Sequence, residues 1–154
     1  MKVISILQPW ASLVALGHKR IETRSWSTKY RGELLIHASA KFTKQQENLS
    51  HEFSMMQRDS RIYHCPRGAI IGKVDLAQCY LMGEISTFAR YLHNGSTWPL
   101  TKQEIVFGDY SSPFRFVWLL SDPILFKEPI PCKGKLGIWN LPKELESIVN
   151  NQNK

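Results

Sequence analysis

The stretch Val3 to Trp26, VISILQPWASLVALGHKRIETRSW, decides how the chain begins to fold. Val3 to Leu7 is a short β-rich run. Pro9 then opens a helix, because its fixed φ suits the first helical turn and its missing N–H is not needed there. Trp10, Leu13 and Val14 fall at i, i+3 and i+4, one apolar stripe, and Gly17 is the natural stop. From Ile21 the period changes to two: Ile21, Thr23 and Ser25 face one way, and Glu22, Arg24 and Trp26 the other. Strand, short helix and strand in so brief a span predict α and β structure in tight alternation.

The same reading extends along the chain. Tyr30-Arg31-Gly32 turns into a strand whose Leu34, Ile36, Ala38 and Ala40 point to the core, with Glu33, Leu35, His37 and Ser39 on the polar side. Between Thr43 and Arg58, Leu49, Phe53 and Met56 recur at i, i+4 and i+7, an amphipathic helix that Thr43 caps. A polar loop follows through Pro66. Ala69 to Gln78 is β-rich, with Gly72 marking a bend or bulge where the strand curves. Ile85, Phe88, Ala89 and Leu92 have helical spacing, closed by His93-Asn94-Gly95, whereas Ser96 to Pro113 shows no clear period.

Phe114 to Leu125 is the longest β-like run; Pro123 limits its central part, and Pro129 and Pro131 mark the next edge. Gly134 to Trp139 is a tight loop into a short strand, and Leu141, Leu145, Ile148 and Val149 form a last amphipathic helix before a fraying tail. No repeat or linker interrupts this order. Residues 1–154 are therefore expected to be a single α+β domain of five or six curved strands with helices on one side.

Composition agrees. A chain of 154 residues and 17.8 kDa suits one domain, burying about 68–70% of its unfolded surface. A hydrophobic fraction of 43% with 21% charged residues excludes a disordered chain. The longest apolar runs, such as Phe114 to Leu120, fall far short of the roughly 20 residues of a membrane span. Cys65, Cys79 and Cys132 are odd in number without a close pair, and MKVISILQPW has no apolar signal region, so a reducing compartment, cytoplasmic or nuclear, is predicted. His64, Cys65 and Cys79 lack the regular spacing of zinc ligands; no metal and no cofactor are expected.

Charge points to a partner. The net charge is +7, and residues 1–44 hold Lys2, Lys19, Arg20, Arg24, Lys29, Arg31, Lys41 and Lys44 against only Glu22 and Glu33. Clustered Lys and Arg displace counterions from phosphates, so together with 17 aromatic residues this fits a polyanion, with nucleic acid as the leading class. Gln8-Pro9-Trp10 stands where strand hands over to helix, and backbone N–H groups there, with the Gln8 amide, suit a phosphate or a base edge; Trp10 equally suits a core anchor. Lys19 lies at a turn with Glu22 and Arg24 on one strand face, where a carboxylate can position both cations in a polar groove, or form an ordinary surface salt-bridge cluster.

These residues, read in order, resemble a known family. Ile4-Ser5-Ile6-Leu7-Gln8-Pro9-Trp10-Ala11-Ser12-Leu13, Gly17-x-Lys19-Arg20-x-Glu22-x-Arg24-Ser25-Trp26, Tyr30-Arg31-Gly32 and Ile36-His37-Ala38-Ser39 look like an ASCH domain, the activating-signal-cointegrator homology family of the PUA-like superfold. The match continues through Gly68 to Leu76, Phe107-Gly108-Asp109-Tyr110 and Gly134 to Trp139. The resemblance implies a PUA-like mixed β-barrel of five to six strands with flanking α-helices. It also implies a cleft between barrel and helices that binds RNA or, in coactivator-type members, DNA.

In that picture Gln8, Trp10, Lys19, Glu22 and Arg24 line the cleft. Strand parity and charge extend it to Arg31, His37 and Lys41, with Lys135 and Trp139 closing the other wall. Arg31 alternatively fastens its turn, His37 alternatively sits satisfied in the barrel, and Trp139 alternatively packs in the core. Some relatives of this family are enzymes, hydrolysing the amide of N4-acetylcytidine with a Lys, a Thr and a Glu, or cleaving RNA. Lys19 matches that lysine, Glu22 stands where those enzymes keep threonine, and Glu84 and Glu104 are candidates for the glutamate. The alternative function is thus a metal-free hydrolase in which Glu22 activates water and Lys19 donates to the oxyanion. A third reading, protein interaction in transcription or translation control, rests on the coactivator-type members alone.

Overall fold

The computed structural model describes residues 1–82, 91–92, 96–97, 101–112 and 114–152. Its elements run β1 (Lys2–Ile6), α1 (Trp10–Ala15), β2 (Ile21–Arg24), β3 (Gly32–Ala38), α2 (Lys44–Gln57), a 3-10 turn (Ser60–Ile62) and β4 (Ala69–Leu81). There follow β5 (Tyr91–Leu92), β6 (Ser96–Thr97), α3 (Lys102–Phe107), β7 (Phe116–Pro131), β8 (Ile138–Asn140) and α4 (Lys143–Asn151). A six-stranded mixed sheet in the order β2-β7-β4-β3-β1-β8 forms the frame, and β5 and β6 make a separate pair. Among the described residues only β1 and β3 run parallel, with α1 in the crossover between them.

The sheet is not closed: β2 and β8 are its two edges and do not pair with each other. Curvature comes from irregular register. The bend expected at Gly72 is there, with register shifts between β4 and β7 on both sides of it. A side chain at Gly72 would lie 2.4 Å from the Ile124 carbonyl oxygen and 3.0 Å from Ala15 Cβ, so glycine lets β7 and α1 close over the strand. Pro123, expected to limit the central part of the run, lies within β7. Between the pairs Asp75↔Ser121 and Lys73↔Ile124 the longer strand carries an extra residue, and Asp122 takes φ 48°, so a bulge absorbs the proline that cannot donate.

Two cores lie on the two faces. Ile4, Ile6, Leu34, Ile36, Val74, Trp118 and Leu120 pack under α1, where Trp26 meets Trp118 edge to face at 4.7 Å. Leu13 on the outer side of α1 packs with Phe53, Ile62 and Phe107, which binds α2, the 3-10 turn and α3 onto it. Thr43 caps α2 in a reciprocal box with Gln46, as its position predicts. The opposite face is also buried: Val3, Leu35, Ile70, Phe126, Trp139 and Val149 form a core under α4. Helices therefore cover both faces, and the expected polar side of β3 is largely a second core, with Leu35 at 0% and His37 at 2% exposure. A helix predicted over Ile85–Leu92 lies mostly outside the described residues, as do Glu84, Asn94 and Gly95, but Tyr91–Leu92 is strand.

Candidate functional site

Lys19 follows the C-terminus of α1, where its N–H bonds to the Leu13 carbonyl. That turn sends the side chain inward until only 2% of the residue is exposed. Its Nζ donates to the Ile21 carbonyl and stands 3.9 Å from Glu22 Oε2 and 4.0 Å from Glu104 Oε2. Glu104 arrives from the first turn of α3, a segment in which the sequence shows no clear period, and its Oε1 accepts the Arg20 N–H. A buried ammonium between two carboxylates is the arrangement that desolvation demands, since an unpaired charge there would be costly. Burial pushes the Glu104 carboxyl above its ordinary value, against the pull of Lys19 and of the Arg20 and Ile21 N–H groups.

The cluster continues outward. Arg24 Nε pairs with Glu22 Oε1 at 3.0 Å, and Arg24 Nη2 donates to the Ser5 carbonyl at 3.2 Å. Ser5 lies just past the last β1–β8 pair, Ile4↔Ile138, where that edge of β1 is left free. Arg24 thus bridges the gap that the strands leave open. The half-buried guanidinium is held at one end of a line of charges running Glu104, Lys19, Glu22, Arg24.

On the other side of Ser5 lies the loop between β7 and β8. The Ser5 hydroxyl donates to the Lys135 carbonyl at 3.0 Å and takes the Trp139 indole N–H at 3.3 Å. His37 Nε2 donates to the Cys132 carbonyl at 2.9 Å, and the ring meets Trp139 edge to face at 5.8 Å. Burial lowers the His37 pKa, which keeps the imidazole neutral. His37 is therefore buried in the second core, bonded through Nε2 alone with its Nδ1 left unpartnered, and Trp139, 6% exposed, belongs to the same core. Both hold the loop that carries exposed Lys133 and Lys135.

Gln8 is turned inward and is 0% exposed. Its Oε1 caps the Ser12 N–H at 3.0 Å and its Nε2 donates to the Pro66 carbonyl at 2.7 Å. The anion site expected at the start of α1 is thus occupied from within: the Ala11 N–H is also taken, by the Leu7 carbonyl. Trp10 is half-buried and touches two cores.

The basic first 44 residues do not make one patch. Lys19, Arg20 and Arg24 serve internal bonds. The exposed remainder is divided by β3, which at about 3.3 Å per residue separates its ends by roughly 20 Å. Lys29 and Arg31 lie at one end; Arg31 fastens its turn through the Thr28 and Tyr30 carbonyls at 2.9 and 2.7 Å. Lys41 and Lys44 lie at the other, where β1 and β3 pair Ser5 with His37. The end holding Ser5 is thus the one at which Arg24 and the Lys135 backbone meet, and Lys41 follows β3 at that same end.

A cavity of about 210 Å³ elsewhere is lined by residues including Ser12, Arg61, His64, Phe126 and Lys127, and by none of the charged residues proposed from the sequence for the cleft. Among the described residues no three of His, Cys, Asp and Glu could hold a metal ion, and no helix is long and apolar enough to cross a membrane.

A family model described as the ASCH domain matches residues 4–129. The human and mouse proteins named activating signal cointegrator 1 are 33% and 31% identical over 146 residues, 92% of this chain. The chain spans 22% of the length of these curated relatives. Crystal structures of ASCH from Zymomonas mobilis and of a point mutant of that protein share the fold, with TM-scores of 0.57 and 0.55 at 16% identity. Each covers 97% of this chain, which covers 93% and 96% of theirs.

Proposed function

Because the chain belongs to the ASCH domain family, we propose that it is a single-domain nucleic-acid-binding module that takes RNA at the gap between β2 and β8. The observation that carries this reading is Arg24, half-buried and pinned by Glu22 at 3.0 Å and the Ser5 carbonyl at 3.2 Å in the open edge of the sheet. A guanidinium fixed in advance loses little freedom on meeting a phosphate or a base edge. Lys41, Lys133 and Lys135 are exposed and available for backbone phosphates, and the half-buried Trp10 keeps part of its ring accessible. Lys19 and Glu22 act from beneath by holding Arg24 in place, Gln8 by fixing α1, and Arg31 lies apart at the far end of β3.

Binding of a short single-stranded RNA at two salt concentrations tests this. With about four phosphate contacts, affinity falls roughly 50-fold between about 50 and 200 mM salt. Lys135→Ala and Arg24→Ala weaken binding, whereas Lys143→Ala, on α4, does not. An affinity that salt leaves unchanged overturns the reading.

One observation favours a second reading, the metal-free hydrolase. Glu104, one of two glutamates that the sequence leaves as candidates, stands 4.0 Å from Lys19, and burial raises its carboxyl above the ordinary value, the direction that general acid–base work calls for. In such a reaction a carboxylate takes a proton from water as it attacks the acyl carbon, and Lys19 stabilises the oxyanion. The amine then leaves with that proton. Acetate released from N4-acetylcytidine by the native chain, and lost in both Lys19→Ala and Glu104→Gln, would establish it; no acetate from the native chain rules it out.

A further inference from the structure

Leu136 is 98% exposed, more than any other large apolar side chain among the described residues. An exposed leucine alone is ordinary; its mounting is not. The loop that carries it is fastened at both ends. Cys132 N–H bonds to the Gly68 carbonyl at 3.0 Å, the Cys132 carbonyl takes His37, and the Lys135 carbonyl takes Ser5. Gly134 lies so close against His37 that a Cβ there would sit 2.4 Å from the ring. Gly137, at φ +67°, turns the chain back into β8. A loop tied down through its backbone therefore holds one apolar side chain out into water.

Its neighbours indicate what it meets. Lys133 and Lys135 both lie just before Leu136 in the loop and are exposed, and residues 129–140 contain no acidic residue. Apart from Leu136 the loop tip is glycine and lysine, so the loop itself presents one apolar side chain among cations rather than an apolar face. The Ser5 residue that anchors Lys135 also receives Arg24, so the loop borders the gap proposed above as the binding site.

We infer that Leu136 is a wedge that enters between two stacked bases of RNA while Lys133 and Lys135, which precede it in the loop, meet the neighbouring phosphates. Apolar side chains inserted at base steps unstack them, and a leucine has the reach and the surface for it. The step opened at Leu136 is the one from which a base turns into the gap beside Arg24. This inference rests on the RNA-binding reading and adds to it the means by which a stacked base is freed.

The test uses the full chain and an RNA of about 12 nucleotides carrying 2-aminopurine, single-stranded and as a duplex. The native protein raises the 2-aminopurine fluorescence on binding, as unstacking relieves quenching. Leu136→Ala, exposed and so without a part in folding, still binds with the salt dependence of the native chain, at about five- to tenfold lower affinity, and the fluorescence rise is lost. Leu136→Phe restores it. Ser5→Ala, which frees the loop, lowers the rise with Leu136 still present. Binding without any fluorescence rise, or a rise that Leu136→Ala leaves intact, overturns the wedge and spares the RNA-binding reading. No binding at low salt overturns both.

Discussion

Arg24, on one edge strand, donates to the backbone carbonyl of Ser5, on the strand next to the opposite edge, at 3.2 Å. The sheet that its strands leave open is tied by a side chain. A backbone hydrogen bond in that place would have sealed the barrel; a guanidinium leaves a polar, partly accessible seam. The same contact therefore holds the fold together and shapes the proposed site.

Removing this tie has a measurable cost. Arg24→Ala deprives the Ser5 carbonyl of its donor and Glu22 of an ion pair, and lowers stability by about 1–3 kcal/mol. Arg24→Lys keeps the charge but cannot reach Glu22 and Ser5 together, so it recovers only part. Urea midpoints of the three proteins check this. Equal midpoints would show that the seam holds without Arg24.

The buried charges beneath it are coupled. Lys19→Met leaves Glu22 and Glu104 facing each other without their shared cation, at a cost of about 3–5 kcal/mol. Glu104→Gln in the same chain removes the carboxylate that has lost its cation, Glu22 still being paired with Arg24, and restores much of the loss. A double variant as unstable as Lys19→Met alone would contradict the coupling.

His37 predicts a pH dependence. Burial lowers its folded pKa below the ordinary 6.5, so the unfolded chain takes up the proton first as pH falls. The contribution is present in full above about pH 6.5 and is lost as pH drops through the folded value. Thermal midpoints of the native chain thus decline between about pH 7 and pH 5. His37→Gln, which keeps a donor for the Cys132 carbonyl, declines less; an identical decline would assign the effect to other groups.

Gly72 tests the packing. Gly72→Ala places a methyl 2.4 Å from a β7 carbonyl oxygen, which forces backbone apart at a cost of about 1–3 kcal/mol. Denaturant unfolding should show a lower midpoint with an unchanged slope. An unaltered midpoint would mean that β7 yields freely there.

Much of this was legible along the chain. The handover at Pro9, the cap at Thr43 and the bend at Gly72 are local, and each residue type acts through its own backbone. Lys19, Glu22 and Arg24 could be grouped because they are near neighbours in sequence. Glu104 could not be placed with them, since only the packing of α3 against α1, through Leu13 and Phe107, brings it there. For His37, strand alternation predicts a polar side, but α4 and the end of β7, distant in sequence, bury that face too. Pro123 was read as a limit because a bulge depends on the partner strand.

The sequence by itself determined the α+β class, the order of most elements, the family and the grouping of Lys19, Glu22 and Arg24, since these follow from periodicity, turn chemistry, short spacings and the ordered motifs. Only the tertiary structure decided which charges face inward, that the sheet stays open with Arg24 across its gap, and that Ser5 joins Arg24 to the loop bearing Leu136. Those outcomes depend on contacts between residues far apart in the chain. Burial and desolvation, which set the energy of a charge, exist only once those contacts have formed.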